Sequence, residues 1–90
     1  MADILATVSC SFKEISPRDG DKFTLEEMQQ YVGGDIEVIP VGDGKVLVVD
    51  EDGKLKGKHV NTIATGWLRQ VNPADYVVGD ALLLDRKHIK

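Results

Sequence analysis

Apolar and polar residues alternate near the start of the chain. Alternate positions between residues 4 and 12 are apolar: Ile4, Ala6, Val8, Cys10 and Phe12. This period of two is typical of a strand with one buried face. Residues 16–21 follow with polar turn residues and no periodicity, so the pattern predicts a first strand and then a loop.

The next segment carries the start and end signals of a helix. Thr24 can cap the free backbone N–H groups, and Glu27, three residues further on, can reach back to complete a capping box. The pair Gly33-Gly34 can adopt the left-handed conformation that ends a helix. We therefore predict a first helix over residues 25–32.

Two apolar runs then flank a tight-turn signal. The run Ile36–Val41 is rich in β-branched residues, but Pro40 lacks an N–H donor and is tolerated mainly on the edge of a sheet. Asp43-Gly44 favours a hairpin, because both residues tolerate positive φ. The following strand, Lys45–Asp50, should therefore pair antiparallel with an edge strand.

The middle of that following strand is apolar at every position. Val46–Val49 contains no polar residue, whereas a strand with one wet face would alternate. This segment predicts a central strand with both of its faces covered.

A second helix is indicated by apolar residues at helical spacing. They are Val60, Ile63, Ala64, Trp67, Leu68 and Val71. Asn61 or Thr62 can cap its start, and Asn72-Pro73 would stop it. Gly66 lies inside the pattern and suggests close packing against the sheet.

The last predicted strand runs from Tyr76 to Leu84 and is interrupted by Gly79-Asp80 as a bulge or bend. Residues 85–90 are predicted to form a polar tail. The resulting β-α-β-β-α-β order is that of the ferredoxin-like split βαβ motif. We therefore predict one α+β domain over residues 1–90, with a four-stranded antiparallel sheet and two helices on one face.

A sheet covered on one side only would leave apolar surface bare. Exposed apolar patches usually mark a binding surface. We therefore expect a homodimer or a higher oligomer that forms through the open face.

Composition narrows the possible partners. The 90 residues include 11 basic and 15 acidic side chains, for a formal charge of −4, and this balance disfavours nucleic-acid binding. Cys10 is the sole cysteine, so no intramolecular disulfide is expected. The sequence shows neither a signal peptide nor an apolar run of the ~18 residues that a membrane span needs, and we expect a cytoplasmic protein.

Candidate catalytic and metal-binding residues are few. His59, His88 and Cys10 are scattered along the chain, and a Gly-x-Ser-x-Gly nucleophile motif is absent, so we predict no metal, no cofactor and no enzymatic activity. Residues 50–53 superficially resemble a calcium loop but lack its ligand spacing. We interpret them as a turn with solvated carboxylates.

One basic segment leads into the second predicted helix and could bind an anion. The candidate residues are Lys54, Lys56, Lys58, His59, Asn61 and Thr62. Free N–H groups at a helix N-terminus favour an anion such as a phosphorylated small molecule. In the alternative interpretation, which is the stronger of the two, the lysines form a solvated edge and Asn61 is an ordinary helix cap.

Several short runs occur in a characteristic order along residues 23–84. They are Phe23–Gly34, Ile36-Glu37, Val48–Leu55, Asn61, Ala64-Thr65 and Val78–Leu83. In this order they resemble a family of small domains of unknown function, found mainly in bacteriophages, plasmids and related mobile elements. Residues 1–22 are less typical of it. The resemblance implies no activity or catalytic residue to transfer, but it implies a protein that acts in the cytoplasm of a bacterial host cell.

Three functional hypotheses follow. The leading one is a non-enzymatic binding protein of bacteriophage or mobile-element origin that modulates a host process or counters host defence, with a host protein among its candidate partners. The second is an oligomeric sponge that sequesters a nucleotide immune signal at the basic segment. The third is a structural or regulatory partner of another phage protein.

Overall fold

The computed structural model describes residues 3–18 and 20–90. Met1, Ala2 and Asp19, the last of which belongs to the predicted loop, lie outside the described residues. Across the described part, the strands and α-helices follow one another in the order β-β-α-β-β-α-β. The strands form a single sheet in which all neighbours are antiparallel.

The elements have the following bounds: β1 Asp3–Ala6, β2 Phe12–Ile15, α1 Leu25–Val32, β3 Ile36–Gly42, β4 Lys45–Asp50, α2 Thr62–Leu68 and β5 Ala81–Asp85. A short 3₁₀ turn, Arg86–His88, follows β5. The strand order in the sheet is β2-β1-β5-β4-β3.

The prediction of a four-stranded sheet is wrong, because the described residues form five strands. The first predicted strand is in fact the hairpin of β1 and β2. Its turn is closed by the Thr7 N–H, which donates to the Ser11 carbonyl at 2.8 Å, and Cys10 takes a positive φ of 61°. The turn contains no glycine, proline or asparagine, so the period-two pattern continues through it by coincidence.

The placement of both helices on one face is also wrong, since α1 and α2 pack on opposite faces of the sheet. Val46 and Val48 of β4 pack in a cluster with Met28 of α1. Leu47 packs in a separate cluster with Leu68 of α2. Successive side chains of a strand point to opposite faces, so the two clusters lie on the two sides of the sheet.

The ferredoxin-like topology fails for a related reason. β5 lies between β1 and β4 and is antiparallel to both. Helix α2 therefore connects two adjacent antiparallel strands, β4 and β5. Each helix of the ferredoxin-like motif instead crosses between two parallel strands, and the right-handedness of such crossovers puts both of its helices on one side.

This arrangement confirms one prediction and removes the basis of another. All six residues of β4 are buried, as expected of a central strand with both faces covered. The sheet has no wholly bare face in the described structure. Self-association thus stays a prediction, without the open face that motivated it.

The first helix is confirmed at Leu25–Val32. Thr24 Oγ1 accepts a hydrogen bond from the Glu27 N–H at 3.2 Å, and Gly33 ends the helix with φ 78°. The second half of the predicted capping box is wrong, because Glu27 Oε2 accepts from the backbone N–H of Arg18 at 2.9 Å. Glu27 therefore ties the preceding loop to the helix.

The edge position of β3 and its antiparallel hairpin with β4 are confirmed. The turn residues Asp43 and Gly44 have φ 54° and 72°. The second helix is shorter than its pattern, since it ends at Leu68 and leaves Val71 exposed. The close packing predicted at Gly66 is wrong, because a side chain there would meet open space.

The last strand begins at Ala81 rather than at residue 76, because Gly79 takes a φ of 77° and turns the chain. The segment after it is not a loose polar tail. The Phe23 N–H donates to the His88 carbonyl at 2.6 Å, and the Lys90 N–H donates to the Phe23 carbonyl at 3.0 Å. These bonds hold the end of the chain beside the start of α1.

Neither helix in residues 3–18 and 20–90 has the length and apolar character to cross a membrane.

Candidate functional site

The basic residues predicted to bind an anion lie on one loop between β4 and α2. We call residues 51–59 the lysine loop. Asn61 caps α2 and Thr62 is its first residue. The six predicted residues lie in one segment of the fold. The ammonium groups of its lysines, however, pair with two different acidic side chains.

Two of the lysines converge on a buried carboxylate at the end of β4. The side chain of Asp50 is 0% exposed, and its Oδ2 accepts from Lys56 Nζ at 2.8 Å and from Lys58 Nζ at 2.6 Å. Its Oδ1 accepts from the Asp52 N–H at 2.9 Å. The interpretation of this turn as solvated carboxylates is therefore wrong for Asp50.

The electrostatics of Asp50 reflect these contacts. Burial raises the pKa of its carboxyl, but the hydrogen bonds from Lys56, Lys58 and the Asp52 N–H together outweigh burial and lower the pKa from 3.8 to about 2. The ionised carboxylate is thus the form that the fold stabilises. We call Asp50, Lys56 and Lys58 the Asp50 cluster.

The Asp50 cluster also caps the end of α1. Lys58 Nζ donates to the Val32 carbonyl at 2.8 Å, and Lys56 Nζ donates to the Gly33 carbonyl at 3.3 Å. The last carbonyls of a helix lack partners within it and carry the negative end of its dipole. The two ammonium groups satisfy this end of α1 as well as Asp50.

Two glycines make room for these lysine side chains. A Cβ at Gly79 would come within 2.8 Å of Lys58 Cδ, and a Cβ at Gly34 would collide with Lys56 Nζ. Gly34 follows α1 and Gly79 precedes β5, so segments far apart in the chain close around the same pair of ammonium groups.

The third lysine has a separate partner. Lys54 Nζ lies 2.6 Å from Asp75 Oδ1 and 4.2 Å from the centre of the Tyr76 ring. The bond to Asp75 raises the pKa of Lys54 and lowers that of Asp75. Both side chains are partly exposed, so this pair stabilises the fold only weakly, but it fixes the direction of Lys54.

Asn61 is fully buried, and its side-chain amide is saturated by backbone groups. Its Nδ2 donates to the carbonyls of Ala6 at 3.0 Å and Gly79 at 2.9 Å, while its Oδ1 accepts from the Ala64 N–H at 3.0 Å. Asn61 therefore ties β1 and the Gly79 turn to the start of α2. His59 and Thr62 lie at the surface.

These contacts hold the lysine loop in place and leave an apolar side chain exposed at its surface. Lys54 on one side and Lys56 and Lys58 on the other are held by acidic groups, and Leu55 between them is 89% exposed. Tyr76, under the Lys54 ammonium, is 45% exposed. Leu55 and Tyr76 line the same crevice of about 130 Å³, with Ile39 and Glu37 of β3.

We call Leu55, Tyr76, Ile39 and Glu37 the Leu55 patch. Sequence reasoning did not single out Leu55. The available signal was an apolar residue placed between alternating lysines, where a purely solvated edge would not require one. The sequence pattern places Tyr76 at the start of a strand, whereas β5 begins at Ala81.

Among residues 3–18 and 20–90, the structure shows no group of three or more His, Cys, Asp or Glu side chains placed to hold a metal ion. The Leu55 patch can make apolar contacts, and the charged side chains beside it are held in place.

Comparison with known proteins adds a family. A model for a domain of unknown function, DUF3846, matches residues 4–89. The chain belongs to this family. The DUF3846 match begins in β1, so it includes the β1–β2 hairpin as well as the segments that carry the resemblance. No curated protein and no solved structure matches the chain.

Proposed function

We propose that this DUF3846 domain is a non-enzymatic binding protein that contacts a partner protein through the Leu55 patch. The observation that carries the proposal is the 89% exposure of Leu55 on a loop whose neighbouring lysines are all held by acidic groups.

A single exposed leucine needs no explanation on its own. What distinguishes Leu55 is the anchoring of the residues on both sides. A loop that is already ordered loses little conformational freedom when a partner binds. The Asp50 cluster and the Lys54–Asp75 pair therefore prepare Leu55 for contact.

The surroundings of Leu55 resemble the anatomy of protein interfaces. Tyrosine is enriched among the residues that contribute most to binding, and charged residues are typical of the rim. Tyr76 supplies the aromatic surface, and Lys54, Asp75 and Glu37 lie around it. The patch also adjoins β3, an edge strand whose backbone can bind an extended segment.

The same contacts argue against an anion sponge at the lysine loop. An incoming phosphate would have to compete with Asp50 for Lys56 and Lys58 and with Asp75 for Lys54. Nucleotide sequestration stays a prediction, and the geometry does not favour it. The phage setting and a role in host defence likewise stay predictions that a partner's identity would decide.

Site-specific photocrosslinking tests the proposal. A benzophenone-bearing amino acid replaces Leu55 in one variant and Leu25 in another, both expressed in bacteria. Leu25 is a suitable control because it is 55% exposed on α1, away from the patch. We expect a discrete crosslinked protein at position 55 that is absent at position 25, and loss of that crosslink when Tyr76→Ser is added.

Equal crosslinking at both positions, or none at position 55, would contradict the proposal. Mass spectrometry of the crosslinked band also identifies the partner. A second copy of this chain would support self-association through the patch, and a different protein would support a heterologous complex.

A further inference from the structure

Lys45, the first residue of β4, is buried without a partner for its ammonium group. The residue is 8% exposed, and its Nζ has no hydrogen-bond partner in the part of the chain that the structure describes. Burying an unpaired charge is costly, and buried polar groups in proteins are almost always satisfied. An unsatisfied buried ammonium therefore calls for an acceptor from outside the chain.

Lys45 belongs to the α2 side of the sheet. It precedes Leu47 and Val49 by two and four residues, and both of those pack in the cluster with α2. With seven residues, α2 is too short to cover this whole face. The part left open is the end of the sheet next to the β3–β4 turn.

A groove occupies this uncovered end, with a volume of about 350 Å³. Its walls include apolar side chains from β1, β3 and β5 and the end of α2, and we call it the Lys45 groove. The side chains that line it include Ile4, Val41, Lys45, Trp67, Gln70 and Leu83. Pockets that bind small molecules have this scale and this mixture of apolar walls with few polar groups.

The acidic residues near Lys45 do not satisfy it. Asp85 is its cross-strand neighbour on β5, and its Oδ1 accepts from the Lys87 N–H at 2.9 Å. That bond and, to a lesser extent, the charge of Lys45 lower the pKa of Asp85. Asp43 lines the groove at the turn. Neither carboxylate makes a hydrogen bond to Lys45 Nζ.

We propose that the Lys45 groove binds a small molecule that carries a carboxylate on an apolar body. The carboxylate accepts hydrogen bonds from Lys45 Nζ, and the body packs between Trp67, Ile4 and Leu83. A carboxylate supplies both the opposite charge and the acceptors that the ammonium lacks, and such charge-assisted bonds are the strong ones. Gln70 can bond a further polar group at the rim.

The Lys45 groove is a second site, beyond the proposed protein contact. It shares no lining residue with the crevice of the Leu55 patch. Failure of the crosslinking experiment would leave the groove untouched, and failure of the groove would leave the patch untouched.

The chain offers its own reporter, since Trp67 is its one tryptophan and lines the groove. Benzoate and hexanoate are titrated into the protein while Trp67 fluorescence is followed, and the matching neutral amides, benzamide and hexanamide, are titrated in parallel. We expect saturable binding of at least one acid and binding of its amide that is about tenfold weaker or more. This comparison needs no variant.

Lys45→Met then removes the ammonium while keeping an apolar stem. We expect it to weaken binding of the acid about tenfold or more. Lys13→Met is the matched control, because Lys13 is an exposed strand lysine on β2, and it should bind like the parent. Saturation by neither acid, equal binding of acid and amide, or undiminished binding by a folded Lys45→Met protein would each overturn the proposal.

Discussion

A buried charged group lies at each end of β4, and the two groups differ in their hydrogen-bond partners. At Asp50 a fully buried carboxylate receives hydrogen bonds from two ammonium groups and one backbone N–H. At Lys45 a buried ammonium donates no hydrogen bond to any of the described residues. The comparison teaches that burial alone does not distinguish a structural charge from one that awaits a ligand, whereas its hydrogen-bond partners do.

Local sequence explains the contrast. The lysine loop follows Asp50 directly, so Lys56 and Lys58 can fold back on it without a long-range constraint. Lys45 follows a two-residue turn, Asp43-Gly44, which allows no such return. At one end of β4 the counter-charges make hydrogen bonds to the buried group, whereas at the other end the nearby Asp43 and Asp85 make none to Lys45 Nζ.

The largest expected effect comes from removing the carboxylate at the satisfied end. Asp50→Asn leaves two ammonium groups without their shared partner, and we expect it to lower the free energy of unfolding by about 3 kcal/mol, near the lower limit for breaking a buried pair. Urea denaturation measures this change. Asp75→Asn, which breaks the exposed pair with Lys54, is the control and should cost less than about 1 kcal/mol. Equal losses in the two variants would show that the Asp50 cluster is no different from a surface pair.

Lowering the pH should remove the stabilisation by the Asp50 carboxylate more gradually. The pKa of Asp50 is about 2 in the folded chain and 3.8 ordinarily. Because the folded pKa is the lower one, the stabilisation is complete above about pH 5 and is lost as the pH falls through 3.8 towards 2, for a total of about 2 kcal/mol. Urea denaturation of the parent and of Asp50→Asn at several pH values checks this. The stability difference between them should shrink as the pH falls, and a constant difference would refute the assignment.

The smallest effect is expected at the unsatisfied end, and it has the opposite sign. Lys45→Met removes a buried unpaired ammonium, so we expect the free energy of unfolding to rise by about 1 kcal/mol in the absence of ligand. Thermal and urea unfolding measure the gain. A clear loss of stability would mean that the fold itself uses the ammonium, and the contrast between the two ends of β4 would disappear.

Local signals in the sequence sufficed for much of the fold. Thr24 marks the start of α1 and Gly33 marks its end, and Asp43-Gly44 forms the hairpin turn. These features could be predicted because caps and tight turns depend on neighbouring residues. The turn at Cys10 could not be predicted in this way, since its residues carry no strong turn preference and are held by the bonds between Thr7 and Ser11.

The sides on which the helices pack depend on long-range pairing. The position of β5 between β1 and β4 decides that arrangement, and no local pattern encodes strand order. One signal did point to it: the apolar run Val46–Val49 requires cover on both faces, which disagrees with two helices on a single face. That local observation was more informative than the order of the elements.

The candidate sites were harder to predict. The lysines stood out because they are charged, but the sequence does not show that Asp50 faces inward or that Asp75 lies beside Lys54. Lys45 looked like an ordinary polar residue at a strand end. Its burial results from the packing of β1, β5 and α2, which are distant in the chain.

The central position of β5 has a consequence for how the protein is made. The β1–β2 and β3–β4 hairpins each join neighbouring segments of the chain, but within the described sheet their strands are connected by Ala81–Asp85, which pairs with β1 on one side and β4 on the other. A nascent polypeptide on the ribosome can form both hairpins early, yet it cannot close the sheet until residue 85 has left the exit tunnel. Until then, the two hairpins expose the strand edges that later pair with β5. Unpaired edges favour aggregation, and chaperones protect such intermediates.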